Sequence, residues 1–97
     1  RLEKILQLTD CPLVLHGGTG VPEEDFRRCV QMGMSKINYG TAIKSVFVGA
    51  VAAVTPDEIQ KVPGKQDPRN LLKPAKIAVA KHVGEKIDIY GSTGKAW

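Results

Sequence analysis

The segment of the chain that indicates most about its fold is Leu13-Val14-Leu15-His16-Gly17-Gly18-Thr19-Gly20-Val21-Pro22-Glu23. Its apolar run lacks in/out alternation, which is typical of a parallel strand covered on both faces. The glycine-rich turn that follows leads directly into a helix, and Pro22 suits the first position of that helix. Such a turn presents backbone N–H groups to an anion, and His16 stands beside it as a candidate metal ligand. The stretch therefore predicts a strand–turn–helix unit with a phosphate site next to a metal.

On both sides of this segment, strands and helices alternate along the chain. Residues 1–8 are the end of a helix, and residues 12–54 form two βα units with strands at 12–16 and 35–39. Residues 55–73 are a loop region with a short helical turn at 57–61, and the terminal helix spans residues 74–90. Strand–helix–strand order with buried-type strands predicts right-handed parallel units.

The predicted fold is α/β: the C-terminal βα units of a TIM (β/α)8 barrel plus C-terminal helices. The barrel is incomplete in this chain, because such a barrel needs eight strands and ~250 residues. We accordingly treat residues 1–97 as the C-terminal part of a single barrel domain.

Three helical faces are predicted to be apolar and inward-facing. The first follows Pro22 and ends at Gly33, the second is the clearest of the chain, and the third lies in the terminal helix. Their members are Phe26, Cys29 and Val30; Ile43, Val46, Phe47, Ala50, Val51 and Val54; and Ala75, Val79, Val83 and Ile87.

Composition narrows the functional class. The net charge of +4 comes from 14 basic and 10 acidic residues without a basic tract, and the aromatic residues are few and scattered, so nucleic acid is not an expected partner. No apolar run approaches a membrane-spanning length, so no membrane partner is expected. Cys11 and Cys29 form no CxxC pair and are expected to be reduced core thiols of a cytoplasmic protein. The chain lacks an initial methionine, and we expect it to begin inside a larger protein.

Three motifs carry a family resemblance. Residues 12–20, PLVLHGGTG, followed by residues 36–41, KINYGT, closely resemble the class II (zinc-dependent) fructose-bisphosphate aldolase family. Residues 67–75, DPRNLLKPA, with the later Tyr90-Gly91-Ser92, resemble the C-terminus of its Bacillus-type branch, which includes the tagatose-bisphosphate aldolases. The resemblance covers essentially the whole chain, in order and at compatible spacing.

The resemblance implies a role for several individual residues. His16 would be one of three histidine ligands of a catalytic Zn²⁺, and a monovalent cation (Na⁺ or K⁺) is usual near the glycine loop. The dihydroxyacetone-phosphate end of the substrate would be bound by the first glycine-rich loop, and the next loop would complete this pocket. Arg69 would reach the far phosphate across a dimer interface, a task suited to its guanidinium fork. The implied substrate residues are Gly17, Gly18, Thr19, Asn38, Gly40, Thr41 and Arg69.

The chain also departs from the family. Tyr39-Gly40 stands where the family usually has an apolar residue followed by a small or acidic one, and we expect Tyr39 to point outward or toward the barrel wall. The other two zinc histidines and the catalytic aspartate are absent, so no catalytic residue lies in this chain. His82 is on the terminal helix and is not expected to replace them.

The resemblance implies reversible, zinc-dependent aldol cleavage of a ketose 1,6-bisphosphate to dihydroxyacetone phosphate and glyceraldehyde 3-phosphate. Fructose 1,6-bisphosphate is the first choice of substrate and tagatose 1,6-bisphosphate the second. The parent subunit would be a cytoplasmic glycolytic lyase and a homodimer or homotetramer, whereas the isolated chain is predicted to be inactive, with weak or no zinc binding.

Plainer interpretations of the same residues stay open. His16 can be a satisfied histidine without a metal, the glycines can serve only a tight turn, and Asn38 or Thr41 can cap the next helix. Arg69 can be a solvated surface residue. The rival function is a non-catalytic phosphate-binding or assembly module, and a truncated product that aggregates is a third possibility, since open strand edges invite association.

Overall fold

The computed structural model describes residues 1–61, 63 and 67–96. The middle of the predicted loop region, Val62 and residues 64–66, and the terminal Trp97 lie outside the described residues. The elements in chain order are α1 (Leu2–Leu6), β1 (Val14–Leu15), α2 (Glu23–Gln31), β2 (Lys36–Ile37), α3 (Thr41–Ala52), α4 (Pro56–Lys61), α5 (Pro68–Leu71) and α6 (Lys73–Ile89).

The two strands form a parallel pair, as the sequence predicts. Val14 is opposite Lys36 and Leu15 is opposite Ile37. In the described part of the chain the sheet has these two strands, so the structure contains a βαβ unit and does not by itself display a barrel. Because the strands are parallel, their carboxyl ends meet at one edge, and residues 16 and 38 leave the sheet side by side.

The chain divides into two compact units. The first comprises residues 1–40 and 86–97 and contains the sheet and α2. Its most buried apolar side chains are Phe26, 1% exposed, and Ile89, 6% exposed. Val14, in contrast, is 42% exposed, so the described residues do not cover this strand on both faces as predicted, since the faces of a parallel sheet are buried only where helices pack on them.

The prediction that both cysteines are core thiols is wrong for Cys11. Both are free thiols, but Cys11 is exposed while Cys29 is half-buried. Cys11 lies in the turn before β1, where its N–H donates to the Thr9 hydroxyl at 3.1 Å. A turn residue whose backbone is held this way need not bury its side chain.

The second unit comprises residues 41–85 and is helical. Ala75 is its buried centre, at 1% exposure. The apolar stripe predicted for α3 is correct in its helical register but wrong in its burial, since Phe47 is 40% exposed and the rest of the stripe is half-buried. A helical stripe is buried only where an apolar layer lies opposite it. Ile87, which lies on α6 in the first unit and was predicted to face inward, is 42% exposed.

Helix ends differ slightly from the predicted positions. Pro22 is the N-cap of α2 rather than its first residue. The loop region contains two short helices: α4 begins after Thr55, and α5 begins after Asp67, whose side chain accepts from the Arg69 N–H. None of the helices in the described ranges is long and apolar enough to cross a membrane.

Candidate functional site

Two loops leave the carboxyl edge of the sheet and are hydrogen-bonded to each other. The first loop is residues 16–20, after β1, and the second loop is residues 38–40, after β2. The Asn38 N–H donates to the Leu15 carbonyl at 2.8 Å, which continues the strand pairing by one step. The Gly18 N–H then donates to the Asn38 carbonyl at 3.2 Å. The parallel pairing therefore brings the predicted histidine and asparagine loops together.

The side chains of these loops meet as well. Asn38 Nδ2 lies 3.0 Å from His16 Nδ1, and since an amide nitrogen only donates, this hydrogen bond forms in the imidazole tautomer whose Nδ1 accepts. The contact engages Nδ1 and leaves Nε2 outside it. A histidine that binds a metal commonly donates its other ring N–H to an acceptor. Nε2 is therefore available to a metal when the Asn38 amide presents its Oδ1 to an Nδ1–H of His16. The His16 side chain is exposed, so the ring is accessible.

Two neighbouring glycines of the first loop are required for different reasons. Gly17 has a φ of +68°, in the left-handed region, and a Cβ there would meet no atom within 4 Å. Gly18 is buried, and a Cβ on it would lie 3.1 Å from Phe26 Cζ and 3.3 Å from the Asn38 carbonyl oxygen. Gly17 is therefore constrained by its backbone angle and Gly18 by the space around it.

The Gly18 amide has a partner inside the protein. Its hydrogen is directed at the Asn38 carbonyl, whereas the family resemblance assigns this residue to the substrate phosphate. In this structure Gly18 joins the two loops and sets the separation between them.

An aromatic cluster lies beneath the loops. It consists of Phe26, Tyr39 and Tyr90, whose rings all meet edge to face. The centroid distances are 5.0 Å for Phe26–Tyr90, 6.3 Å for Tyr39–Tyr90 and 6.5 Å for Phe26–Tyr39. Such pairs contribute roughly 0.5–1.5 kcal/mol beyond their buried area. Tyr39 is half-buried in this cluster, which explains how the chain accommodates a bulky residue directly after Asn38.

Charged groups border the cluster on one side. Lys86 Nζ lies 5.6 Å from the centre of the Tyr39 ring and 3.4 Å from Glu23 Oε1. Burial, together with the neighbouring Tyr39, raises the pKa of Tyr90 above its usual 10.0. The Tyr90 hydroxyl oxygen is buried and has no hydrogen-bond partner among the described residues.

The described residues do not assemble a complete metal site. Among them there is no group of three His, Cys, Asp or Glu side chains that could hold a metal ion. The chemistry of His16 fits one position of a tetrahedral zinc set, which in catalytic sites takes three protein ligands. This chain can thus contribute one ligand, and the described residues do not supply the other two. His82 lies on α6, in the second unit.

The remaining predicted substrate residues fall in different parts of the chain. Gly40 closes the second loop, and Thr41 begins α3 in the second unit, where its carbonyl accepts from the Ser45 hydroxyl at 3.1 Å. Helix α3 begins at Thr41 itself, so neither Thr41 nor Asn38 occupies the residue immediately before the helix.

Arg69 belongs to the second unit and is paired with Asp67. Its Nε lies 3.0 Å from both carboxylate oxygens of Asp67, and its Nη2 lies 2.7 Å from Oδ2. The guanidinium holds the pKa of Asp67 below its usual 3.8, and the carboxylate raises the pKa of Arg69. The ion pair engages the Nε and Nη2 edge of the guanidinium, and Nη1 takes no part in it. The Arg69 side chain is 89% exposed.

Sequence reasoning placed Phe26 in the core of α2 but missed its position against the first loop. It also did not predict that Tyr90 and Lys86 lie in and beside the aromatic cluster near the site. The only available signal was that aromatic residues stand one after Asn38 and one before Gly91, and nothing in that spacing indicates that their rings meet.

Comparison with known proteins identifies the family to which the chain is similar. Residues 1–95 match the family model described as "Fructose-bisphosphate aldolase class-II". The fructose-bisphosphate aldolase of Geobacillus stearothermophilus is 42% identical over 95 residues, which is 98% of this chain and 32% of that protein. The crystal structure of the YdjI aldolase from Escherichia coli K12 superposes with a TM-score of 0.76 at 30% identity, covering 99% of this chain and 34% of that chain. The chain thus spans about a third of the length of the relatives it matches.

Proposed function

Because the chain belongs to the class-II fructose-bisphosphate aldolase family, we propose that it is the C-terminal βα part of an aldolase. The reaction is the reversible cleavage of a ketose 1,6-bisphosphate to dihydroxyacetone phosphate and glyceraldehyde 3-phosphate. Fructose 1,6-bisphosphate is the first-choice substrate, supported by the likeness to the Geobacillus enzyme, and tagatose 1,6-bisphosphate is the second.

One observation carries the proposal. The histidine loop and the asparagine loop are joined at the carboxyl edge of two parallel strands, with the side chains of His16 and Asn38 3.0 Å apart. In barrels built from parallel βα units, ligands bind at this edge, and the last loops commonly form a phosphate site. If His16 is the metal ligand and the first loop the phosphate loop, the two are neighbours, as an aldolase acting on a phosphorylated ketose requires.

The chain's own residues take the following parts in this proposal. His16 supplies one ligand of Zn²⁺, which when bound provides Lewis-acid polarisation of the substrate carbonyl. Asn38 orients the His16 imidazole through Nδ1 and lies beside the reacting end of the substrate. The first loop binds the nearer phosphate around Gly17 and Thr19, since the Gly18 N–H is bonded to the Asn38 carbonyl. Gly40 and Thr41 are proposed for the same phosphate on the family resemblance, and a monovalent cation, Na⁺ or K⁺, would lie near the first loop. Binding the phosphates fixes the substrate relative to His16, so that remote binding energy lowers the barrier.

Arg69 is proposed to bind the far phosphate of a substrate held by a partner subunit. Its Nε edge is held by Asp67, which leaves the end bearing Nη1 for a phosphate. This role requires an assembled homodimer or homotetramer in the cytoplasm, in keeping with the glycolytic setting.

The test is an assay of the protein purified intact from its source. We expect a subunit near 30 kDa, the size of a barrel of ~250 residues with extra helices. We also expect cleavage of fructose 1,6-bisphosphate that a chelator removes and Zn²⁺ restores. Activity with tagatose 1,6-bisphosphate, measured alongside, decides between the two ketoses. A large subunit that binds Zn²⁺ yet cleaves neither bisphosphate would refute the aldolase proposal.

A second function has its own supporting observation. Within the described residues His16 is not part of any three-ligand metal group, whereas the two-loop contact is complete. If the native protein has a mass near 10.5 kDa, the phosphate-binding or assembly module becomes the better proposal. In that case inorganic phosphate would bind without Zn²⁺, and His16→Ala would leave the dissociation constant unchanged.

A further inference from the structure

The buried ring of Phe26 packs against the first loop at Gly18. Phe26 is 1% exposed and belongs to the first turn of α2, which begins directly after the loop. Its Cζ and Cε1 would be 3.1 and 3.2 Å from a Cβ placed on Gly18. These distances are shorter than ordinary van der Waals contact, so the ring fills the space on that side of Gly18 completely.

The same glycine is bonded to the second loop. The Gly18 N–H reaches the Asn38 carbonyl at 3.2 Å, and the Asn38 side chain in turn contacts His16 at 3.0 Å. A displacement of Gly18 away from the ring would lengthen the first bond and move Asn38 relative to the imidazole. A change in the position of the Phe26 ring would thus be transmitted to His16 through one backbone hydrogen bond and one side-chain contact.

The ring is itself held from the other side. Tyr90 packs edge-on against it at 5.0 Å, and Tyr39, the residue after Asn38, does so at 6.5 Å. The cluster therefore fixes both ends of the contact between the loops: Gly18 through Phe26, and Asn38 through Tyr39.

We propose that Phe26 is a positioning residue of the substrate site, whose ring sets the separation of the two loops and so holds Asn38 against His16. The inference deepens the proposed aldolase function and rests on it only for the identity of the anion that the loops bind. Phe26 does not touch substrate; it acts through Gly18 and Asn38.

The decisive experiment is a double-mutant cycle in the complete polypeptide that carries these residues. Gly18→Ala places a methyl group against the ring and should weaken binding of inorganic phosphate about tenfold, a loss equivalent to ~1.4 kcal/mol. Phe26→Leu removes Cζ and Cε1, so the double variant should recover most of that loss. Recovery stays partial, because the Asn38 carbonyl oxygen is also within 3.3 Å of the added methyl.

Gly17→Ala is the matched control, one residue away in the same loop. A Cβ on Gly17 meets nothing within 4 Å, so Phe26→Leu has no clash to relieve there. We expect the double variant of Gly17→Ala with Phe26→Leu to be no better than Gly17→Ala alone. Rescue of both glycine variants, or of neither, would overturn the inference.

A second readout does not depend on phosphate. With [¹⁵N]glycine labelling, the Gly18 amide reports its hydrogen bond through its chemical shift and its protection from hydrogen exchange. Phe26→Leu should shift this signal and reduce its protection at least several-fold, while other glycine amides of the same unit keep theirs. An unchanged Gly18 amide would refute the positioning role even if phosphate binding fell. If the unmodified protein binds no phosphate, the proposed site fails, and the Gly18 amide still tests the role of Phe26.

Discussion

Replacing Gly17 by alanine should cost stability through its backbone angle alone. Gly17 has a φ of +68°, and a Cβ at this position would be in open space. An alanine in the left-handed region costs about 1–2 kcal/mol. Part of this, about 0.5 kcal/mol, is offset because alanine has less conformational freedom than glycine in the unfolded chain. The net loss in the free energy of unfolding should be about 1 kcal/mol.

Two further variants isolate the cause. Gly17→Asn should lose less than half as much, because asparagine adopts left-handed angles more readily than alanine. Gly91 has the same φ of +68°, at the end of α6, and its Cβ would make only ordinary contact with Val30 at 3.9 Å. Gly91→Ala should therefore carry a similar backbone penalty at a position outside both loops.

The assay combines urea unfolding, followed by far-ultraviolet circular dichroism, with titration of inorganic phosphate. Gly17→Ala and Gly91→Ala should both lower the unfolding midpoint, but only Gly17→Ala should weaken phosphate binding. Equal stability of the alanine and asparagine variants at position 17 would refute the backbone argument. Equal loss of phosphate affinity in both alanine variants would refute the placement of the phosphate at the first loop.

Three other predictions concern the surroundings of the site. Thr55→Ala should lower the free energy of unfolding by about 1 kcal/mol, measured by calorimetry, because the Thr55 hydroxyl accepts the Glu58 N–H in the first turn of α4. In a carboxyl NMR titration, the lowered pKa of Glu58 should rise only in part, since the Thr55 backbone N–H still donates to that carboxylate at 2.8 Å. Arg69→Gln should raise the pKa of Asp67 toward 3.8. Because that pKa is depressed in the folded state, the stability that the ion pair contributes is present above pH 3.8 and is lost as the pH falls through the folded-state pKa. The unfolding midpoints of the two proteins should therefore converge toward strong acid, and a gap that stays constant with pH would contradict the prediction. Tyr90→Phe should leave the free energy of unfolding unchanged or raise it by up to about 1 kcal/mol, since the buried hydroxyl has no partner among the described residues, and a clear loss of stability in thermal unfolding would contradict this.

The local elements were predictable because their signals are local. An unbroken apolar run before a glycine-rich turn predicted β1, and a second strand at residues 35–39 was predicted as its parallel partner; both exist, although each is two residues long rather than five. The terminal helix was predicted within one residue at either end. Helix α4 was predicted one residue late, and the capping box that marks its start, Thr55 with Glu58 three residues on, went unused.

Burial was less predictable than secondary structure, because it depends on what lies opposite each face. Periodicity correctly placed Phe47 on the apolar stripe of α3, yet the side chain is 40% exposed. The period of a helix states which residues share a face and carries no information on whether that face is covered. The same limit applies to Val14, whose unbroken apolar surroundings predicted two covered faces.

The candidate site shows where sequence reasoning stops. The resemblance indicated that residues 17 and 18 are both glycines of a substrate loop, and treated them as equivalent. In the structure their constraints are independent: Gly17 is fixed by a positive φ with open space around it, and Gly18 by a neighbouring ring and carbonyl. Alanine at position 17 would therefore strain the backbone, whereas alanine at position 18 would clash with the Phe26 ring and the Asn38 carbonyl. We expect that only the clash at position 18 can be relieved by changing another side chain. That asymmetry is a property of three-dimensional contact between residues 8 positions apart in the chain, and it makes Phe26 part of the site although it bears no polar atom.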